Sequence, residues 1–532
     1  MFSSTLSFDA LTAITSFYDP TSTPLALTAA SPATRESAEM TAFAEFPHRS
    51  AELLPGRVMF GLDPRDGERV AAIGDMQQFE RMVWWLTRPS SAAGRRPFPL
   101  RSVHFCLDSS VESPVDVVAR VPLCAATVTS LNLNTRCDMC NQISSLRAIS
   151  QLVGLRELLM KHTTVSQSSR PLPVNMTDDL HAVFRNLRKL VVGDYYVVQQ
   201  LPLKDLHHLE EVDLSGTGVN VAVMEAIAGC CRVRSLKLRG CLGIDDFAPL
   251  GALTQLSCLD LSHTHLRDHE LRHLCKCCQR LSSFALNHCD ALGNFAPLEE
   301  LNQLSCLHVG HTAFRNSDLE RVCVLPELAE LHIESCRLLD VFGPLAFLRD
   351  LCDLDARDTW VDDAGVVAIA QCTKLRRVTL SGCASISKFS PLSQLTHLEH
   401  LCLSGCLIAD ACLNALCTPM MPLRTFLLNG CRVLRDFTPL RRLQLVEEIG
   451  VCDTAFNDTS LQAVAQCGQL AKLHLHICIA VTSLSPLTSC AHLRYLGIGG
   501  TRFSSGCCEA ECAALRERGV QLNHQLFLVS SF

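Results

Sequence analysis

Residues 238–264 read LRGCLGIDDFAPLGALTQLSCLDLSHT, and residues 286–312 read LNHCDALGNFAPLEELNQLSCLHVGHT. The same leucines, cysteine, phenylalanine, proline and threonine return at the same offsets. The proline of the x-P-L element falls at 202, 249, 297, 344, 391, 439 and 486, a spacing of 47 or 48 residues throughout. Two residues before most of these prolines stands a large apolar residue: Phe247, Phe295, Phe342, Phe389, Phe437 or Leu484. A fixed period of this length marks a repeat architecture, in which each unit buries its apolar face only against its neighbours.

Each period holds two half-units, and each half opens with L-x-x-L-x-L-x-x-(C/T). The first half closes on Cys241, Cys289, Cys336, Cys383, Cys431 or Cys478. The second closes on Thr217, Thr264, Thr312, Thr359, Thr454 or Thr501, with Cys406 as the exception. The alternation x-L-x-L-x predicts a short strand whose leucines point inward and whose other side chains face out. The return of the first half contains proline, which excludes a long helix there. The second half has Asp268, Asn316, Asp363, Asp410 or Asp458 four residues after the column residue. These predict helix N-caps, because apolar pairs such as Leu271/Leu274, Leu413/Leu416 and Leu461/Val464 follow at helical spacing.

This double pattern resembles the leucine-rich-repeat superfamily over about residues 100–520, with roughly 17 recurrences. The first half-unit is similar to internalin and SDS22-like repeats, the second to the cysteine-containing class. The resemblance implies an α/β solenoid, a horseshoe with a concave parallel β-sheet and a convex side mixing 3₁₀ and α-helix. The column Cys or Thr would hydrogen-bond buried backbone where the chain turns out of the strand.

The chain has 532 residues, 48% of them hydrophobic, a net charge of −7 and a pI near 6.3. This balance argues against a general nucleic-acid or anionic-membrane binder. No apolar run approaches the roughly 20 residues that span a bilayer. The opening MFSSTLSFDALTAITSFYDPTSTPLALTAASPATR has no basic residue before Arg35, unlike a signal peptide or a mitochondrial presequence. The expected location is therefore cytoplasmic. Thirty cysteines do not overturn this. First-half cysteines recur on every second strand, roughly 9–10 Å apart, whereas a disulfide requires Cα atoms within about 7 Å. Even where adjacent strands carry Cys383, Cys406 and Cys431, thiols are expected in a reducing compartment.

Residues 1–45, rich in Ser, Thr, Ala and Pro, read as disordered. Residues 46–99 read as an N-terminal cap with at least one helix around MQQFERMVWWLTRP, its Trp84 and Trp85 packed inward. A Ser/Pro-rich insertion after Thr163 reads as a surface loop, and residues 521–532 as a C-terminal edge strand or cap.

The outward strand positions form the expected partner-binding face: Asp213, Lys237, Arg239, Asp260, Asn287, His308, His332, Glu334, Asp355 and Arg357, with Trp360 at its edge. Acids and bases are balanced there, which suits a protein partner better than nucleic acid. Towards the C-terminus the face is plainer, with Gly450, Gly497 and Gly499. His263, His288 and His311 share one register and are weak metal candidates. They sit at a position that other half-units fill with Gly240, Asp358 or Gly382, and it reads as exposed and tolerant of polar residues. His474 and His476 form an H-x-H pair without an evident third ligand. The CDMC (Cys137, Cys140) and CKCC (Cys275, Cys277, Cys278) stretches lack the second C-x-x-C of a zinc ribbon. No phosphate loop, nucleophile elbow or H-E-x-x-H helix occurs, and no cofactor is expected. The sequence thus points to a non-enzymatic, intracellular scaffold that binds a protein partner. An adaptor of a ubiquitin ligase, or a regulator of a partner enzyme, is the alternative. FPHRSAELLPGRVMFGLDP does not spell the F-box that such adaptors carry.

Overall fold

Leu331 lies directly between Leu307 and Leu354, each on its own three-residue strand, and all three side chains are fully buried. This relationship, repeated, is the fold. The computed structural model describes residues 203–505 and 509–525 continuously, together with 152–161, 184–193, the isolated positions Val198 and Leu201, and short earlier strands. The readings for residues 1–45, for Trp84 and Trp85, for Cys137 and Cys140 and for the insertion after Thr163 fall outside the described residues.

The chain forms two units, Met1–Asp245 and Asp246–Phe532. In the first, β1 (Val58–Gly61) pairs antiparallel with both β2 (Val70–Ile73) and β3 (Ser102–Phe105). From β3 onward the pairing is parallel, through β4 (Ser130–Asn132), β6 (Glu157–Met160), β8 (Lys189–Val192), β9 (Glu211–Asp213) and β10 (Ser235–Lys237). A side pair joins β5 (Asn141–Ile143) to β7 (Thr163–Val165). Leu131, Leu158, Leu190, Val212 and Leu236 form the buried spine of this ladder.

In the second unit twelve strands pair in parallel, each with the next. They are β11 (Cys258–Asp260), β12 (Ser283–Ala285), β13 (Cys306–His308), β14 (Glu330–His332), β15 (Asp353–Asp355), β16 (Arg377–Thr379), β17 (His400–Cys402), β18 (Thr425–Leu427), β19 (Glu448–Gly450), β20 (Lys472–His474), β21 (Tyr495–Gly497) and β22 (Gln521–Asn523). The middle residue of each of these strands from Leu259 to Leu496 is buried, and a second inward residue (Leu261, Leu286, Val309, Ile333 and so on) follows two positions later. The repeats are therefore leucine-rich repeats in structure as well as in pattern.

The two half-units return differently, as their sequences require. The x-P-L halves form 3₁₀ turns, at Ala248–Ala252, Ala296–Glu300, Gly343–Phe347, Ser390–Gln394, Thr438–Arg442 and Ser485–Ser489, each with proline in its first two positions. Proline costs nothing there, because the first N–H groups of a helix have no internal acceptor. The preceding Phe247, Phe295, Phe342, Phe389 and Phe437 plug the core. Two of them meet a phenylalanine of the next half-unit edge-on, Phe295 with Phe314 at 5.3 Å and Phe437 with Phe456 at 5.2 Å.

The other halves form α1 (Val221–Ala228), α2 (Asp268–Cys277), α3 (Asn316–Val322), α4 (Asp363–Ile369), α5 (Asp410–Leu416) and α6 (Asp458–Val464). The final helix is α7 (Glu509–Glu517). One expectation is corrected here. Asp268, Asn316, Asp363, Asp410 and Asp458 are not the N-caps; each is the first helical residue. The caps stand one position earlier, where Asn220, Asp362 and Asn457 accept from the amides of Val223, Gly365 and Ser460. The acidic column looks outward along the solenoid instead. Asp268 Oδ1 accepts the consecutive amides of Gly293 and Asn294, Asp363 Oδ1 those of Ser387 and Lys388, and Asp410 Oδ1 those of Arg435 and Asp436. Asn316 does the same for Asp340 and Val341, and Asp458 for Thr482 and Ser483. These side chains staple one repeat to the loop of the next, satisfying amides that lead into the 3₁₀ turn and have no ladder partner.

Candidate functional site

The outward residues of β11–β16 build the polar face of the second unit. Each strand offers one side chain before its central apolar residue and one after it. The positions after are the ones read from the sequence. The positions before, Cys306, Glu330, Asp353 and Arg377, carry as much chemistry and are not among the sequence candidates, although the x-L-x-L-x pattern turns them to the same face.

At the centre lie β13 and β14. His308 Nε2 stands 3.2 Å from the Cys306 sulfur and 2.9 Å from Glu330 Oε1. The His332 ring stacks on that of His308 at 4.0 Å with 9° between planes. His332 Nε2 lies 3.4 Å from Glu330 and 3.8 Å from Asp353, and is buried without a hydrogen-bond partner. Burial alone would lower the pKa of His332, but the carboxylates of Asp353, Asp355 and Glu330 outweigh it and raise it. Burial likewise opposes ionisation of Asp353, yet His332 and Arg377 hold its carboxyl below the usual range. Arg377 approaches it at 3.0 Å.

Glu334 folds back over Gly310. A Cβ on Gly310 would meet the Glu334 carboxylate carbon at 2.2 Å. Asp355 is buried and is gripped by Arg357 through its Nε, at 3.1 and 2.9 Å from the two oxygens. Trp360 is 56% exposed, with Nε1 donating to the Arg337 carbonyl, so its ring lies over the neighbouring turn. Asp260 accepts from Ser262 N, and Asn287 accepts from Gly310 N at 2.8 Å. Asn287 is thus partly committed to the next strand. In the first unit Asp213 is paired with Lys161 at 3.2 Å; burial would raise its pKa, but Ser215 and Lys161 lower it. Lys237 and Arg239 are exposed there.

The plain C-terminal glycines have a structural reason. Asn429 lies against Gly450, and His476 against Gly497 and Gly499, whose amide donates to His476 Nδ1 at 3.0 Å. His474 is turned instead to Glu448, at 2.9 Å. The H-x-H pair therefore splits between two tasks. Burial, then the neighbouring His474, lowers the pKa of His476.

The register of His263, His288 and His311 is a backbone requirement. All three have positive φ, at 57°, 56° and 56°, as do Gly240, Ser335, Asp358, Gly382, Gly405, Gly430, Asp453, Ile477 and Gly500 in the same turn. The position demands left-handed backbone, which glycine adopts most easily. The imidazoles stack face to face, at 4.2 Å and 4.0 Å between successive centroids. Stacked rings point their in-plane nitrogens side by side rather than towards a common point.

The cysteines form two internal ladders. In the column, the thiols of Cys241, Cys289, Cys336, Cys383, Cys431 and Cys478 donate to a main-chain carbonyl of the preceding half-unit at 3.0–3.2 Å. At the helix ends, Cys230, Cys278, Cys372 and Cys467 donate to the carbonyl of the leucine in the preceding x-P-L turn. Cys275 and Cys278 of the CKCC stretch are buried, and half-buried Cys277 lies beside His273. Burial pushes the thiols of Cys278, Cys289 and Cys336 up to about 11, and those of Cys372 and Cys467 up to about 12. Such thiols are unreactive. Among the described residues no cysteine is in a disulfide, and no helix is long and apolar enough to cross a membrane.

No family model and no curated protein sequence matches the chain. Solved structures do. An internalin from Listeria monocytogenes is 19% identical with a TM-score of 0.44, over 55% of this chain and 81% of that one. Internalin C2 of the same species is 25% identical with a TM-score of 0.33, over 38% and 84%. A leucine-rich-repeat protein of Leptospira interrogans is 15% identical with a TM-score of 0.43, over 78% and 93%. At these values the similarity carries no partner and no activity across.

Proposed function

We propose that this leucine-rich-repeat chain is a non-enzymatic scaffold inside the cell that binds a protein partner on the polar face of β11–β16. The observation that carries the reading is the file of half-exposed charged groups on adjacent strands: Glu330 and Asp353 before the central leucines, Glu334 and Arg357 after them. Such a face matches a partner that places a basic group against Glu334 and an acidic group against Arg377, which is exposed. Trp360 at the rim supplies an aromatic anchor of the kind that dominates interface energies. The cysteine ladders, with thiols that are hydrogen-bonded and protonated, fit a reducing compartment.

The non-enzymatic reading is supported by how the reactive groups are arranged. In a nucleophilic triad the acid holds the histidine by one nitrogen while the nucleophile meets the other. Here Cys306 and Glu330 meet the same nitrogen of His308, which leaves no relay.

Proximity labelling in the native cell tests the proposal. The wild-type chain is compared with Asp260→Lys/Glu334→Lys on the polar face and with Arg441→Glu on the 3₁₀ side. A partner lost only from the first variant supports the reading. Identical labelling by all three chains overturns it.

A further inference from the structure

The cluster on β13 and β14 has a property that protein binding does not require: three donors of different chemistry converge on one point. We propose that Cys306, His308 and Glu330 form a zinc-binding site on the polar face, with a fourth coordination position open to solvent or to a partner's side chain.

The geometry comes first. Zinc bonds of about 2.0–2.3 Å place the ligands of a tetrahedron about 3.3–3.8 Å apart. The sulfur–nitrogen separation is 3.2 Å and the nitrogen–oxygen separation 2.9 Å, with all three ligand atoms within 4.8 Å of one another. The sulfur–nitrogen and nitrogen–oxygen pairs need only open by a few tenths of an ångström to admit the ion. All three come from strand positions whose backbone is fixed by the parallel ladder, so the site is built on rigid elements.

The chemistry of the set comes second. A thiolate, an imidazole and a carboxylate select zinc over magnesium or calcium, which take oxygen ligands. A second group, His332, Glu334 and Asp355, also falls within 4.8 Å but contains no sulfur, and its Asp355 is already held by Arg357. Support around the first group comes third. His332 stacks on His308 and fixes the plane of its ring, and its buried Nε2 lies 3.4 Å from Glu330. Neighbours that orient a ligand in this way raise metal affinity. Exposure comes fourth: the three residues are half-buried, so the ion has an entry path and keeps one face open.

Loading one Zn²⁺ involves no redox change. The cysteine thiol releases its proton to solvent as the metal–sulfur bond forms, and the carboxylate binds as the anion.

The test is titration of the full-length chain with Zn²⁺ alone by calorimetry, and with Co²⁺ by absorption spectroscopy. Tetrahedral Co²⁺ with one sulfur ligand shows a thiolate-to-metal charge-transfer band. The expected result is one zinc equivalent whose affinity falls at least tenfold in Cys306→Ala and in Glu330→Gln, with the charge-transfer band lost only in Cys306→Ala. Cys412→Ala, on α5, keeps both. Glu330 is 37% exposed, so the Glu330→Gln chain folds even where a cysteine variant does not. Zinc affinity equal in wild type, Cys306→Ala and Glu330→Gln, or a cobalt band that survives Cys306→Ala, overturns the assignment. Because the readout is metal binding to the isolated chain, it is independent of the protein-partner reading.

Discussion

Thr264 and Cys289, 25 residues apart, meet at one atom. The Thr264 hydroxyl donates to the Leu261 carbonyl at 2.6 Å, the Cys289 thiol donates to the same oxygen at 3.2 Å, and the two donors are 3.8 Å from each other. The arrangement recurs around the carbonyls of Leu214, Ala356 and Val451. It explains why threonine and cysteine alternate along the column. A hydroxyl reaches back within its own turn, and the longer C–S bonds let the next turn reach the second lone pair. Thr264→Val should therefore cost about 1 kcal/mol, the usual loss for one buried hydrogen bond. Cys289→Ala should cost about 1–2 kcal/mol, because a small cavity adds to the lost bond. The double variant should lose more than the sum, since the carbonyl is then stripped of both side-chain donors. Urea unfolding of the four chains measures this; strict additivity would show that the two donors do not share a functional acceptor.

The acidic column makes a second prediction, with a pH signature. Hydrogen bonds from Ser387 hold Asp363 below the usual carboxylate range. Burial would raise Asp458, but Thr482 and Ser483 outweigh it and lower it. A carboxyl whose folded pKa is depressed stabilises the native chain above its unfolded value, near 3.8 for these groups, and that stability is lost as pH falls through the folded pKa. The contribution of these two aspartates should thus be flat from about pH 7 to 5 and decline below about 4. Asp363→Asn/Asp458→Asn, which keeps the oxygen that accepts the loop amides but removes the titration, should show a shallower acid limb. Asp363→Ala should cost about 1 kcal/mol at pH 7. An acid limb of equal slope in wild type and the double asparagine variant would rule this out.

These aspartates also show where sequence reading stops. The strands, the 3₁₀ turns and the convex helices were legible because their apolar spacing is dictated by packing, and packing leaves a period. Whether Asp363 caps its own helix or staples the next repeat was not legible. Both tasks ask for a short acceptor at the start of the helix, and they differ by one residue and by a rotation of the side chain. The histidine register was legible as a pattern and misread in cause. His263 resembles a surface choice until its backbone, and that of Gly382 five half-units on, is seen to be left-handed. The cluster of Cys306, His308 and Glu330 was half visible. His308 stood out by its type, but its partners lie on the far side of the central leucines, and only the register of β13 on β14 brings them together.

Ile477 gives a third prediction. Its φ of 64° puts a β-branched residue in the left-handed region, where its side chain crowds the backbone. The equivalent positions hold glycine in Gly382, Gly405 and Gly430. Ile477→Gly removes roughly 1–2 kcal/mol of strain and costs somewhat less in unfolded-chain entropy. A net gain in stability is expected, with a rise in the urea midpoint. A fall in that midpoint would mean that the exposed isoleucine contributes more by packing than its backbone loses.

Two glycines that carry no positive φ separate binding from stability. At Gly310 an added methyl meets the carboxylate end of half-buried Glu334, whose Oε2 is buried with no hydrogen-bond partner, so no bond at that oxygen is lost when the side chain moves. At Gly497 it meets the His476 imidazole at 2.3 Å, and His476 is 2% exposed and anchored by the Gly499 amide. Gly310→Ala should therefore swing Glu334 outward with stability changed by no more than about 0.5 kcal/mol, while altering capture of the partner identified by labelling. Gly497→Ala has nowhere to send the imidazole and should destabilise by about 1–3 kcal/mol, as overpacking does. Thermal unfolding reads the second effect and partner affinity the first. If Gly310→Ala leaves partner affinity untouched while Glu334→Lys abolishes it, the charge of Glu334 matters but its folded-back position does not. If neither substitution alters affinity, the polar face around β13 and β14 is not where the partner sits.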